Sequence, residues 1–569
     1  ALARAFAPCQ PCADILMVLA YLCAWLCISA STSTDLSANC AADDDPALLL
    51  LQRRGIKTDA KEPQKSLWFT DLHADPYYLT NIRQCSKKNV STLRHFHCGF
   101  MGCDPPTTLL VETLTAVRSM GLELEADFVL YTGDFSRHHM EKMEDPYNNV
   151  SKIIGQVSAI FNEHLPKITK IFGTLGNDDA PSGYFQSITT QKCTNRWLER
   201  CGTKLQSAHC MTASNRPEFD YGGYFEVRMG NYSILNIATV MYSVHHKPAN
   251  TSGSDPFFQL AWLRRKLTEA ARDKRKVWIA GHIPPGIETF GYTELWQPHF
   301  VREYLSIVQD EVMGSVVAAQ LFGHVHKDEI RILPNAPSGA GPIFLSVSLS
   351  PVYFNNPAFK RVTMDDNGTF LDFEVFFAQL SNASFMKYGS GYSFRSLYGV
   401  KDLNMETLVH LASELLEGNE LWKRYAKWYT ATYPSDLASF ATNVTDPQDI
   451  AKQKSLRRQQ YICAVTIQTL DSFQDCVESA RLGMDKSDIL GSSPMHVSAI
   501  PKTLPVEEHM IIARLIRWAE LSERPEAQDI LWLSEQHQWM EILEKYRGAV
   551  EQSWEQGLSL DDFFNFLST

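Results

Sequence analysis

Five short, apolar, strand-like runs in this chain each end in a small residue or glycine followed by a residue able to hold a metal ion. Ser66 to Thr70 leads into Asp71-Leu72-His73, and Phe128 to Thr132 into Gly133-Asp134. Ile168 to Leu175 leads into Gly176-Asn177-Asp178-Asp179, Lys276 to Ala280 into Gly281-His282, and Val316 to Phe322 into Gly323-His324-Val325-His326. Thr107 to Met120, Asn149 to His164 and Phe257 to Ala271 carry helical apolar spacing between them. Buried strands alternating with helices read as an α/β fold. Open α/β sheets hold their ligands just beyond the carboxyl ends of the strands. Singly, each ending has an ordinary explanation: Asp71 as a helix cap, Gly176-Asn177 as a turn, a strand-end histidine as a hydrogen-bonded core residue. Together, Asp71, His73, Asp134, Asn177, His282, His324 and His326 are oxygen and nitrogen donors of the kind that Zn, Fe or Mn take. Their coincidence points to a metal centre.

Further strand-like runs are Gly223 to Val227, Ser233 to Val240, Ile343 to Val347 and Phe370 to Phe377, the last two in a second sheet. His245 and His246 follow one of them, as candidates for a pocket wall or for the surface. Leu403 to Tyr429 is helical. Gly483 to Pro505 is a break rich in Ser, Pro and Gly. Val506 to Leu567 returns to helical patterning, with an apolar stripe through Ile511, Ile512, Leu515 and Trp518 that is expected to pack on the body. The divisions expected are an apolar leader at 1–34, a linker at 35–65, the metal-bearing domain at 66–380, a helical subdomain at 381–482 and a helical extension at 483–569.

A net charge of −12 argues against general nucleic-acid binding. It does not exclude an anionic substrate, because a bound metal reverses the local sign. With 44% hydrophobic and 21% charged residues the chain can build a packed core. Its first residue is Ala, so the sequence reads as a fragment or a trimmed chain. Ile15 to Ala30 is nearly all apolar, the length of a secretory h-region and short for a spanning helix. It is a cleaved signal peptide or an uncleaved N-terminal membrane anchor, and either one routes the rest into the secretory pathway. Cys40, Cys85, Cys98, Cys103, Cys193, Cys201, Cys210, Cys463 and Cys476 then read as disulfide partners. Cys463–Cys476 is the favoured local bridge, with further pairs inside the other two groups. Glycosylation tripeptides at Asn89, Asn149, Asn231, Asn250, Asn367, Asn382 and Asn443 agree with a luminal or extracellular location.

The series Asp-Leu-His, Gly-Asp, Gly-Asn, Gly-His and Gly-His-Val-His, in this order from Leu67 to His326, resembles the calcineurin-like metallophosphoesterase superfamily. The resemblance implies a four-layer αββα sandwich, here followed by the C-terminal helical subdomain and extension. It implies two divalent ions, Zn first and Fe or Mn as alternatives. Asp71, His73 and His326 would hold one, and Asn177, His282 and His324 the other, with Asp134 bridging both. Thr70-Asp71-Leu72-His73 through Asp75-Pro76-Tyr77 resembles the acid sphingomyelinase-like phosphodiesterases and the vacuolar endopolyphosphatases. So do Cys103-Asp104-Pro105-Pro106, Trp278 before Gly281-His282-Ile283-Pro284-Pro285, and Gln320 through Asp328. Tyr461-Ile462-Cys463 and Asp475-Cys476 resemble the C-terminal subdomain of the first group, so the likeness covers 66–482.

The implied reaction is in-line attack on phosphorus by a metal-bridging hydroxide. His138, four residues after Asp134, would protonate the leaving oxygen. Asp178 stands where the superfamily has the histidine of Gly-Asn-His, and is assigned to orienting His138 or a water. The expected function is a secreted or vacuolar/lysosomal phosphodiesterase acting on nucleotide or phospholipid head-group phosphodiesters. The alternative is an endopolyphosphatase, favoured by Asp178 and opposed by the intact His324 and His326; a basic groove around Arg137 would favour it further. A third reading, a binding protein that lost turnover through Asp178, is opposed by the intact donor set. Expected partners are a phosphate-ester or polyphosphate substrate and, through 15–30, a membrane; specific nucleic-acid binding is not expected.

Overall fold

A computed structural model of the chain describes residues 62–80, 83, 85, 96–185, 212–248, 254–333, 336, 340–380, 386–434, 437, 447–466, 469–481, 511–512, 515–516, 519 and 525–556. The apolar leader, Cys40, Cys193, Cys201, Cys210, Asn89, Asn250, Asn382 and Asn443 lie outside the described residues.

Two six-stranded mixed sheets carry the site. The first runs β12 (Tyr388–Ser393), β11 (Phe370–Ala378), β10 (Ala358–Met364), β1 (Gln64–Phe69), β2 (Phe128–Thr132) and β3 (Ile171–Thr174). The second runs β4 (Phe225–Met229), β5 (Tyr232–Asn236), β6 (Lys276–Ala280), β7 (Val317–Phe322), β9 (Ile343–Leu345) and β8 (Glu329–Arg331). β1, β2 and β3 are parallel, as are β5, β6, β7 and β9. The near-continuous apolar runs of β2 and β6 are what a strand covered on both faces requires.

The inner faces meet through aromatic side chains. Trp278 of β6 lies 6.1 Å from Phe128 of β2 and 5.4 Å from Phe370 of β11, and its indole N–H donates to the Gly368 carbonyl. Phe344 of β9 stacks on Phe370. Outside the first sheet lie α1 (Thr108–Ser119) and α2 (Pro146–His164), whose Phe161 packs 5.4 Å from Phe69. Against the second sheet lie α3 (Gln259–Arg272) and α4 (Pro298–Val308). The layers are helix, sheet, sheet, helix.

Periodicity finds β2, β6 and the helices within a few residues, but no strand was expected at Ala358–Met364, Glu329–Arg331 or Tyr388–Ser393. β10 and β12 mix polar and apolar residues without a clean alternation, and β8 has three residues. Their pairing partners, not their composition, make them strands. β12 also extends the first sheet past residue 380.

Beyond the sheets, α5 (Met405–Glu417) and α6 (Asn419–Trp428) precede α7 (Pro447–Thr466) and α8 (Leu470–Arg481), and Cys463–Cys476 joins the last two. Cys85 bonds Cys103, and Cys98 is a free, buried thiol. Ile511, Ile512 and Leu515 do not add to the main core. They form a second buried cluster with Ile530 and Leu533 of α9 (Pro525–Glu535) and Ile542 and Leu543 of α10 (Trp539–Gln556). No helix among the described residues is long and apolar enough to cross a membrane.

Candidate metal centre

The parallel register delivers the donors side by side. Phe69 pairs with Tyr131 and Thr132 with Thr174, so β1, β2 and β3 end level, at Asp71, Asp134 and Asn177. Ala280 pairs with Leu321, so β6 and β7 end together at His282 and His324. The two edges are laced to each other. The His324 amide donates to both oxygens of Asp71 (3.1 and 3.0 Å), and the His282 ring Nδ1–H to the Thr132 carbonyl (2.7 Å).

Turning sharply off a strand end strains the chain. Asp71, His73, Asp134, His324 and His326 all have positive φ, from 49° to 71°. Side-chain-bearing residues rarely sit there, and such strain concentrates at functional sites. The preceding glycines permit the crowding. A Cβ on Gly133 would lie 2.6 Å from His282 Nδ1, and one on Gly176 would overlap the Asp134 carboxylate. Asp179 holds the turn from behind: its carboxylate accepts the amides of Asp134, Phe135, Ser136 and Gly176 at 2.8–3.0 Å.

Four overlapping groups of possible donors result among the described residues: Asp71, His73 and His326; Asp134, His282 and His324; His73, Asp104 and His138; and His73, Asp134 and Asp178. The first two contain only residues expected as ligands and are the two donor groups of the candidate centre. His326 Nε2 lies 3.2 Å from both Asp71 Oδ1 and His73 Nε2. Asp134 Oδ2 lies 3.4 Å from His73 Nε2 and 3.1 Å from His282 Nε2, between the groups. Asn177 Oδ1 is 3.0 Å from His282 Nε2. His73 Nδ1–H donates to the Ser136 carbonyl (3.1 Å), which turns Nε2 inward, and His282 is fixed likewise. The seven expected residues therefore meet at one place, and all but His324 are fully or almost fully buried.

The electrostatics fit a pair of cations. Burial, reinforced by neighbouring imidazoles, holds His73 and His324 well below the ordinary histidine value, so their lone pairs are free. Burial pushes the Asp71 carboxyl up, but the charges of His326 and His282 outweigh it and bring it down to about 2. Burial pushes His282 down, but the Asp134 carboxylate outweighs it and raises it to about 10. Among the four donor rings, the one raised in this way lies between the oxygens of Asp134 and Asn177. Three oxygen donors with four imidazoles suit divalent ions of borderline hardness.

A cleft of about 300 Å³ opens over these groups, lined among others by Asp134, His138, Asp178, Tyr184, Lys247 and Tyr353. His138 stacks on His73 at 3.9 Å. Its Nδ1 bonds Asp104 Oδ1 at 2.8 Å, and its Nε2 faces the Tyr353 hydroxyl at 3.2 Å and Asp178 Oδ2 at 3.7 Å. Burial lowers the His138 pKa, but Asp104 and Asp178 outweigh it and hold the ring well above its ordinary value. Arg137 does not face the cleft: it is buried, with its guanidinium 3.2 Å from the Asp75 carboxylate, so no basic groove forms around it. His246 is buried, and His245 is exposed beside Tyr184 with ring centroids 5.3 Å apart. Asp104, Tyr353, Tyr184 and Lys247 were given no role from sequence. Asp104 lies in the quoted Cys-Asp-Pro-Pro stretch, but the other three carry no local signal.

Residues 65–328 match the family model described as calcineurin-like phosphoesterase. The chain is 28% identical to the sphingomyelinase phosphodiesterase D of Dictyostelium discoideum, over 60% of this chain and 77% of that protein. It is 24% identical to the cyclic GMP-AMP phosphodiesterase SMPDL3A of Rattus norvegicus, over 72% of this chain and 90% of that protein. It is 25% identical to the human acid sphingomyelinase-like phosphodiesterase 3b, over 73% and 90% of the two chains.

Proposed function

Residues 65–328 are a calcineurin-like phosphoesterase domain and the chain is a phosphoric ester hydrolase; from that premise we propose that it hydrolyses phosphodiesters at a two-metal centre. The observation that carries this reading is the position of Asp134, whose carboxylate lies between the two donor groups. In the proposal Asp71, His73 and His326 would hold one divalent ion and Asn177, His282 and His324 the other, Asp134 would serve both, and Zn is the first candidate. When bound, such ions supply Lewis acidity towards a phosphoryl group and acidify water.

The chain's own residues do the rest. The buried carboxylates and rings exclude bulk water beneath the phosphate. His138, its ring turned by Asp104, gives a proton from Nε2 to the leaving oxygen, and the Tyr353 hydroxyl borders that path. Substrates of the proposed enzyme are phosphodiesters of a nucleotide or a phospholipid head group, the substrate types named for the relatives. The Cys85–Cys103 and Cys463–Cys476 bonds and the exposed Asn231 and Asn367 support a secretory-pathway location. The polyphosphate reading gains no support from Arg137, which is buried against Asp75.

The test is a Zn-loaded preparation assayed at pH 5 on bis-p-nitrophenyl phosphate, sphingomyelin, a cyclic dinucleotide and long-chain polyphosphate. Turnover of a diester is expected, and Asp134→Ala should remove it together with the bound metal. Cleavage of polyphosphate alone would move the assignment to the alternative, and undiminished turnover by the variant would sink the site.

A further inference from the structure

Asp178 lines the cleft, and apart from the effect of its charge on His138 at a distance the chemistry above gives its side chain no contact to make. It does not hold His138. Its Oδ2 is 3.7 Å from His138 Nε2, beyond hydrogen-bond reach, and His138 is already turned by Asp104 at 2.8 Å. The strong contact of Asp178 is to its neighbour: Asn177 Nδ2–H donates to Asp178 Oδ2 at 2.8 Å. That bond has a consequence for the other end of the same amide. An asparagine amide has an oxygen that can bind a cation and an NH2 that cannot, and the two ends are nearly the same shape. With Nδ2 tied to a carboxylate, Oδ1 must point the opposite way, and it lies 3.0 Å from His282 Nε2, inside the second donor group. The carboxylate cannot swing off its target. Asp178 is buried, and its own amide donates to Asp134 Oδ1 at 2.8 Å, tying residue 178 to the carboxylate shared by both groups.

We infer that Asp178 is a positioning residue that locks the Asn177 amide with its oxygen towards the second metal, so that the affinity of that metal depends on residue 178. The inference rests on the two-metal reading. It predicts that what matters at 178 is a hydrogen-bond acceptor facing Asn177 Nδ2, not a negative charge and not a proton.

The full chain, stripped with chelator, is titrated with Zn2+ alone by calorimetry and with Co2+ alone by its visible spectrum. The wild type should take two equivalents. D178A should keep the first and bind the second about 10–100-fold more weakly, the usual cost of losing an outer-shell partner. D178N still offers an amide oxygen to Asn177 and should behave as the wild type. In N177D/D178A the ligand is a carboxylate, which needs no orienting, so the second equivalent should return even if D178A alone folds poorly. Wild-type affinity in D178A, equal weakening in D178N and D178A, or no return in the double variant would each overturn the lock. A wild type that takes fewer than two equivalents would overturn the two-metal reading itself, and the inference with it.

Discussion

His138 shows how much two neighbouring carboxylates do to one ring. Burial disfavours its charged form, yet Asp104 and Asp178 hold its pKa well above the ordinary value near 6.5. A general acid works while it is protonated, so the alkaline limb of activity should lie above pH 6.5. Asp104→Asn removes one of the two charges while keeping an acceptor oxygen for Nδ1, so it should move that limb to lower pH. His138→Ala should cost about 10²–10⁴-fold in kcat. The pH profile of kcat on a diester with a poor leaving group checks both, and an unmoved limb in the Asp104 variant would remove His138 from the role. The same shift stabilises the fold: the contribution is complete below pH about 6.5 and is lost as pH rises through the higher folded value. Nothing in the sequence signalled Tyr353, which reaches His138 from a loop 215 residues away.

At the scale of an element, four of the five strand ends place a glycine directly before the donor, at Gly133, Gly176, Gly281 and Gly323, and the fifth places Thr70 before Asp71. Gly133 has φ of 93° and its missing Cβ leaves room for the His282 ring. Gly133→Ala therefore meets both a backbone cost and a clash with His282 Nδ1, which must keep its bond to Thr132. Strain of this kind costs on the order of 1–3 kcal/mol. The expected outcome is a lower Tm together with loss of bound Zn. A variant that holds two equivalents at the wild-type Tm would contradict the crowding. The motifs Gly-Asp, Gly-Asn and Gly-His are legible because they pair a steric need with a chemical one. β10 and β12 were not legible, because their residues become strands only beside β1 and β11. The stripe of Ile511, Ile512 and Leu515 was legible as an apolar helix face, but its partners were not: it closes with α9 and α10 in a buried cluster of its own.

At the scale of the whole molecule, the centre is a seam between two sheets whose strands come from distant stretches of chain. Asp71 and His324, 253 residues apart, are joined through a backbone amide. Buried carboxylates at such a seam are stabilised by cations, so metal should act as a staple. Binding that favours the folded state adds about 2.7 kcal/mol per site at a free-ion concentration a hundred times Kd. Thermal melts should therefore show Tm falling when a chelator strips the chain and recovering with Zn2+. An unchanged Tm would mean that no ion joins the sheets. Sequence by itself singled out the seven candidate donors and determined the α/β class, because metal chemistry admits few residue types and a strand buried on both faces must be apolar. Only the tertiary structure decided that Arg137 turns inward to Asp75, that Tyr353 reaches His138, and that Asp178 faces Asn177. Those outcomes depend on which side chains meet across the two sheets and their connecting loops, and no local spacing along the chain encodes that meeting.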